Sequence, residues 1–576
     1  MILILSKETV NVRLFGEHIV YLQCLKEKRN EFIQEQTHGK MKQIFKKAAS
    51  VVFVMLAFTA CNEHDFEGEN NDLFQRKNAS SDSEVIVLGK HYPNPYSVRN
   101  MLAAYSELKN SGENIGNINI RTTDLYVRFL PKDTAQYNAL SEDTSMVLFD
   151  YPLDYEIVQE GEYYHDPSIP EDSYTWLYTT VPAGYQFNPN ITYEILDSCY
   201  ISRDDNENII SDDDKLEQMS FKLLGLDQIF ADSEDQGAKG WFRGKKPKGT
   251  YRVYDTDLGY YVPVKCAQAI CHNIVKWGYA RIGKNGRYEM NKKFHTRVYY
   301  KIKYSNSKSF NIRYPVLTAY SRFGFHGKSG YSKDIAPSGN SWKLATINNA
   351  AYEYYDICAM NKILTPPNNL KIFMTNFSRK GAAPMLTRVY HPIGANSHSS
   401  WLSFFVNIVY GLPATVINNT ILKLVGPDIV IGGKNVENSS SLYKTTCHEL
   451  AHASHFMQVG SEYWALYISY IMTYGSYGDV GDYNSGVCGV GEMWGYAMGN
   501  VLANEKYNKE IIGENRYWFK WGILSDIMVQ GVLSKRQIFD CLTNEVRSHD
   551  ELKSKMKLLY PTEANKIDTI FRTYGF

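Results

Sequence analysis

Over residues 98–112, VRNMLAAYSELKNSG, apolar side chains recur at Met101, Leu102, Tyr105 and Leu108. That spacing of three and four lines one face of a helix, and Gly112 supplies its stop. The next stretch, TDLYVRFLP (123–131), alternates apolar and polar positions as a strand does. DTAQYNALSE then opens a helix at a capping Asp133, and MVLFDYPLDYEI (146–157) returns to strand-like patterning. The β-α-β order predicts a small α+β module over 85–240. Gly, Pro and a short basic run in DQGAKGWFRGKKPKG (235–249) mark a linker after it. Short alternating runs follow, punctuated by KNGR (284–287) and SNSK (305–308), and predict a small antiparallel β-sandwich over 247–315.

From about residue 340 the period changes again. NSWKLATINNAAYEYYDICAMNKI reads as a helix, NLKIFMTNF and PDIVIGG as strands, the latter at a sheet edge. SSSLYKTTCHELAHASHFMQVG (439–460) and GVGEMWGYAMGNVLANE (489–505) are helical, and the last sixty residues form helices that back this region. No internal repeat interrupts the order. The chain is therefore expected to be a multidomain α+β protein whose third, α+β domain spans 340–576.

One apolar run stands apart. In MKQIFKKAASVVFVMLAFTAC (41–61), Lys42, Lys46 and Lys47 precede an apolar segment from Ala48 to Ala60. It is shorter than the roughly 20 residues that span a bilayer and carries the plan of a cleaved signal, which makes Met41 the expected start and sets 1–40 upstream of it. Its end, AFTAC, resembles the lipobox of bacterial lipoproteins. The resemblance implies a lipid on Cys61, and the acidic NEHDFEGEN that follows is similar to tracts that send Gram-negative lipoproteins to the cell surface. The expected location is thus the outer membrane, with contact only through that anchor and with 62–84 as a polar tether. Lys plus Arg and Asp plus Glu are 62 each, so no global field favours nucleic acid. The abundance of Tyr (44) and Phe (26) suits a globular chain with much β-structure, and Tyr-rich surfaces suit peptides or sugars. Past the signal, seven cysteines leave an odd thiol and no metal-finger spacing. A Cys447–Cys488 disulfide would tie two chemistry-bearing segments together, whereas two buried thiols need no partner.

The chemistry concentrates in TTCHELAHASHF (445–456). On a helix over 439–459, capped by Ser439 to Ser441 and stopped by Gly460, His448 and His452 lie one turn apart on one face, while Leu450, Ala453 and Met457 face the core. Two imidazoles at that spacing can grip a single Zn²⁺, with Glu449 beside water at the metal. His455 is too far along the axis from His448, about 10 Å, to share the ion. A third ligand is needed. Glu492 fits best, on a helix whose Trp494, Ala497 and Val501 form a buried back and whose Gly495, Gly499 and Ala503 permit close approach. Asp479, Asp482 and Glu462 are the alternatives.

This combination resembles the gluzincin class of metallopeptidases, and 247–315 resembles the transthyretin-like or carboxypeptidase-regulatory-like sandwich. The first resemblance implies a zincin-like domain in which His448, His452 and Glu492 hold zinc and Glu449 is the general base. Tyr496 and Tyr483 are candidate donors to a developing oxyanion, and Asp479 or Asp482 could orient an imidazole. The expected function is zinc-dependent hydrolysis of peptide bonds in an extracellular or periplasmic protein, glycoproteins included. A non-catalytic glycan- or glycoprotein-binding lipoprotein on the same scaffold is the alternative. Retention of Glu449, which binding does not need, favours the enzyme.

Overall fold

The computed structural model describes residues 85–170, 173–233, 241–306, 310–314, 318–376, 378–379, 381–389, 427–474, 477–511 and 517–576, all within one compact unit, Ala60–Phe576. The segments read as upstream sequence, signal and tether lie outside the described residues. Among the described residues no helix is long and apolar enough to cross a membrane. The architecture is mixed α+β.

The first helix spans Val98–Asn110, capped by Ser97 at one end and followed by Gly112 at φ +76°. Asp133 caps Thr134–Glu142 by accepting the Gln136 amide at 2.9 Å. Between them Asp124–Leu130 is the centre of a three-stranded antiparallel sheet, flanked by Leu177–Pro182 and Thr192–Cys199. Only the end of 146–157 becomes a strand: Tyr155–Gln159 pairs with Val87–His91, and Phe149 makes one bridge to Tyr178. Met146 to Phe149, Tyr151 and Leu153 are buried as a plug, and Pro152, lacking an amide hydrogen, cannot continue a ladder there.

Two four-stranded sheets follow. One is built on Lys248–Asp255, with Tyr260–Pro263, Arg287–Glu289 and Lys333–Ile335; the other runs Tyr320–His326, Val298–Lys303, Gln268–Asn273, Lys276–Arg281. Their faces meet where Tyr251 packs on Phe323, ring centroids 5.4 Å apart. The sequence order is interleaved. Phe310–Arg313, expected in the sandwich, pairs in parallel with Leu370–Thr375, while strands from 320–335 complete the sandwich sheets. The expected linker is also no free hinge over its described part, since Trp241 packs on the core and Lys245 bridges Phe294. One apolar core runs from Tyr96 and Phe149 to Ile270, Val275 and Trp277, so the first module and the sandwich are packed as one body.

A third four-stranded sheet, which Phe310–Arg313 joins, places the chemistry. Leu370–Thr375 and Ile429–Gly432 are parallel and wholly buried, as strands covered on both faces must be. Ile429–Gly432 is the last strand of its sheet, the edge position expected of it, and carries one further bridge on its outer side. Ala382 and Val430 exchange both backbone hydrogen bonds, 3.0 and 2.7 Å, so 381–385 forms an outer antiparallel rim. Helix Gly339–Asn361 packs against the helix that carries the histidines, and the last helices pack behind Ser485–Tyr507.

Candidate metal centre

The motif helix starts at Ser439 and its cap is Asn438 rather than one of the serines: Asn438 Oδ1 accepts the Ser441 amide at 2.8 Å. The neighbouring Ser440 amide donates to Asp257 Oδ2 at 2.6 Å, and Thr256 and Ser439 bond reciprocally. Two of the first-turn amides, Ser439 and Ser440, are thus satisfied by Thr256 and Asp257, which anchor the start of the helix to the loop after Lys248–Asp255. Leu450 and Ala453 are buried as expected, but Met457 is 43% exposed.

Gly460 ends the first limb at φ +83°, ψ 176°, and a second helical limb continues to Tyr474. An uninterrupted helix would separate His452 from Tyr467 by about 22 Å along its axis. Their rings are instead 5.8 Å apart, and Trp464 packs on His452, His455 and Phe456. The chain therefore folds back on itself at Gly460, and the return limb roofs the histidines.

Helix Ser485–Tyr507 approaches from the other side. A Cβ on Gly495 would stand 2.7 Å from His452 Nε2, and one on Gly499 2.9 Å from the Lys444 carbonyl, so only glycine allows this contact. Trp494, Ala497 and Val501 are buried as expected, but Trp494 reaches the motif helix rather than only a back face: its Nε1 donates to the Ala451 carbonyl at 3.1 Å.

His448, Glu449 and His452 are buried with their ligand atoms within 4.8 Å of one another, a cluster that could hold a metal ion. The two Nε2 atoms are 3.0 Å apart. Glu492, 1% exposed, presents Oε2 at 3.6 Å from His448 Nε2 and 3.7 Å from His452 Nε2. Its other oxygen, Oε1, accepts a hydrogen bond from the Tyr467 hydroxyl. Among the described residues Oε2 has no hydrogen-bond partner. Burial, with His452 and Lys444 adding to it, pushes the His448 pKa well below its ordinary value and keeps the ring neutral, the form that ligates.

Glu449 lies beside this triangle, Oε1 4.0 Å from His448 Nε2. Gly381, on the outer rim, sits so close that a Cβ there would collide with the carboxylate. A cavity of about 330 Å³ opens beside them, lined among others by His448, Glu449, Tyr496, Lys444, Arg379 and Asn500. Burial lowers the Lys444 ammonium to about 8. Tyr496 is edge-on to His448, ring centroids 4.6 Å apart, with its hydroxyl 2.8 Å from that of Tyr477.

Several candidates lie elsewhere. Tyr483 is 81% exposed, outside the buried cluster. Glu462 and Asp479 are exposed, and Asp482 accepts the Asp479 amide at 2.7 Å rather than facing an imidazole. His455 is fully buried among Tyr463 and Trp464, and among the described residues neither of its nitrogens is hydrogen-bonded. Cys447 and Cys488 are separate buried thiols, both with pKa values raised by burial. Sequence patterning missed Tyr467, Trp464 and Gly381. Nothing short of the reversal at Gly460 and the rim strand brings them in, so no local signal marks them. Compared with family models, curated proteins and solved structures, the chain matches none.

Proposed function

We propose that the chain is a zinc-dependent peptidase of the gluzincin kind, with His448, His452 and Glu492 as ligands and Glu449 as general base. One observation carries the proposal: Glu492, forty residues beyond His452, turns toward both imidazoles, at 3.6 and 3.7 Å, a buried oxygen that has no hydrogen bond among the described residues. The three atoms form a triangle with edges of 3.0, 3.6 and 3.7 Å, a size that one ion can reach at bond lengths of about 2.0–2.2 Å. Two imidazoles and one carboxylate with an open side are a donor set suited to zinc. Bound there, zinc supplies a Lewis acid and water that ionises near neutral pH.

The protein's own groups do the rest. Glu449 accepts a proton from the attacking water and hands it to the departing amine. Gly381 leaves room for its carboxylate against the rim. Tyr496, on the cavity wall against His448, is the candidate donor to the oxyanion. With the signal-like 41–61 and Cys61, the proposal places the enzyme on an outer membrane, acting on proteins or glycoproteins outside the cell. Glu449→Gln is expected to keep stoichiometric zinc and to lose protein hydrolysis by at least about 10²-fold, read by metal analysis and a peptide-library digest with and without chelator. Full activity in that variant excludes the mechanism.

A further inference from the structure

Glu492 is held from behind by a residue outside the motif. A carboxylate has two oxygens and free rotation about its last bond, so a buried one must be aimed by a partner or it will present either edge to the metal site. Here Tyr467 donates its hydroxyl to Oε1, and Oε2 is left facing His448 and His452. The tyrosine is itself immobilised. It is 3% exposed, its ring packs at 4.8 Å on Trp464 and 5.8 Å from His452, and a Cβ added at Gly491 would stand 3.4 Å from it. Trp464 is pinned in turn by its Nε1 bond to the Ala383 carbonyl, 3.0 Å, on the rim strand.

We infer that Tyr467 is the positioning residue for the third metal ligand: its hydroxyl selects which Glu492 oxygen meets the ion. The inference rests on the metal-site reading above. Hydrogen bonding to a ligand's outer atom fixes its orientation, and its loss typically costs 10–100-fold in metal affinity. The hydroxyl also reaches the site only because the chain reverses at Gly460, which gives the return limb a chemical role beyond covering the histidines.

The test is zinc affinity of the full chain, measured by competition with a chromophoric chelator, for the parent, Tyr467→Phe, Glu492→Ala and the double variant. Tyr467→Phe keeps the ring and its packing, and is expected to weaken zinc binding about 10–100-fold. In the Glu492→Ala background no carboxylate remains to be aimed, so Tyr467→Phe should add no further loss; the double variant also removes the acceptor that the single change strands, so it reports even if the single variant folds poorly. A tyrosine that merely packs would lower the melting temperature of the zinc-free chain and leave zinc affinity within about twofold, overturning the inference. Additive losses in the double variant would overturn it too. If the parent binds zinc and His448→Ala abolishes binding while Tyr467→Phe is silent, only this inference fails. If His448→Ala leaves zinc affinity unchanged, the metal site itself is wrong and both fall.

Discussion

At the scale of single residues, the proposed general base depends on an absence. Gly381 lies where any side chain would strike the Glu449 carboxylate, and its segment has little freedom to withdraw. Ala382 is bonded to Val430, Met385 donates to the Asp428 carbonyl at 3.0 Å, and Ala383 holds Trp464. Gly381→Ala must therefore displace Glu449 rather than the rim. Displacement of a catalytic group by about 1 Å can cost 10²-fold in rate. The expected outcome is a kcat lower by roughly that factor with zinc content unchanged, checked by steady-state hydrolysis beside metal analysis; an unaltered kcat would show that the base is not held there. Glu449 and its two histidines were legible in five consecutive letters because helical geometry alone brings them together. Gly381, sixty-eight positions upstream, was not, because its meaning exists only where the rim strand meets the helix.

At the scale of elements, Gly460 turns one apolar helical pattern into a hairpin. Its φ of +83° with ψ of 176° lies in a region open essentially to glycine alone, and a Cβ there would meet no neighbouring atom within 4 Å. Substitution is thus penalised by the backbone and not by crowding. Gly460→Ala should destabilise the fold by about 1–3 kcal/mol, seen as a shifted denaturation midpoint at unchanged slope. A neutral effect would mean the reversal tolerates other conformations. The stop at Gly460 was readable from composition and period, but the return of the chain was not. Met457 shows the consequence: the return limb covers the side of the helix bearing His455 and Phe456, and leaves this member of the expected core stripe exposed.

Across the whole molecule, the first module and the sandwich are joined by buried charge as well as by apolar core. Asp214 on helix Asp212–Leu223 meets Lys293 at 2.7 Å and His295 at 2.9 Å, and Glu217 meets Lys276 at 2.7 Å and the Tyr96 hydroxyl at 2.9 Å. Burial pushes the Glu217 carboxyl up, but Lys276 and His295 overcome it and hold it well below the ordinary range; His295 and Lys293 do the same for Asp214 against its own burial. Burial likewise opposes protonation of His295, yet Glu217 and Asp214 raise its pKa. The two carboxylates stabilise the fold above their unfolded values near pH 4, and that contribution is lost as pH falls through their lowered folded values. The His295 contribution is complete below about pH 6.5 and is lost as pH rises through its raised folded value. Stability should accordingly be greatest between these limits. Glu217→Gln, which strands Lys276 and His295, should cost about 3–5 kcal/mol near pH 6 and converge on the parent in strong acid, measured by denaturant unfolding across pH. A pH-independent difference would show that Glu217 acts through packing alone.

By itself the sequence determined what is written within a few turns or strands: the helices bearing the two histidines and Glu492, the glycines that let those helices meet, and the two strand-like runs at 370–375 and 429–432. These follow from periodicity and backbone preference, which are local. Only the tertiary structure decided that Phe310–Arg313 leaves the sandwich for the third sheet, that 381–385 covers the strand expected at the edge, that Tyr483 faces solvent, and that Tyr467 returns to grip Glu492. Pairing partners and side-chain neighbours far apart in the chain are chosen by the burial of the whole molecule, and no short stretch of residues carries that choice.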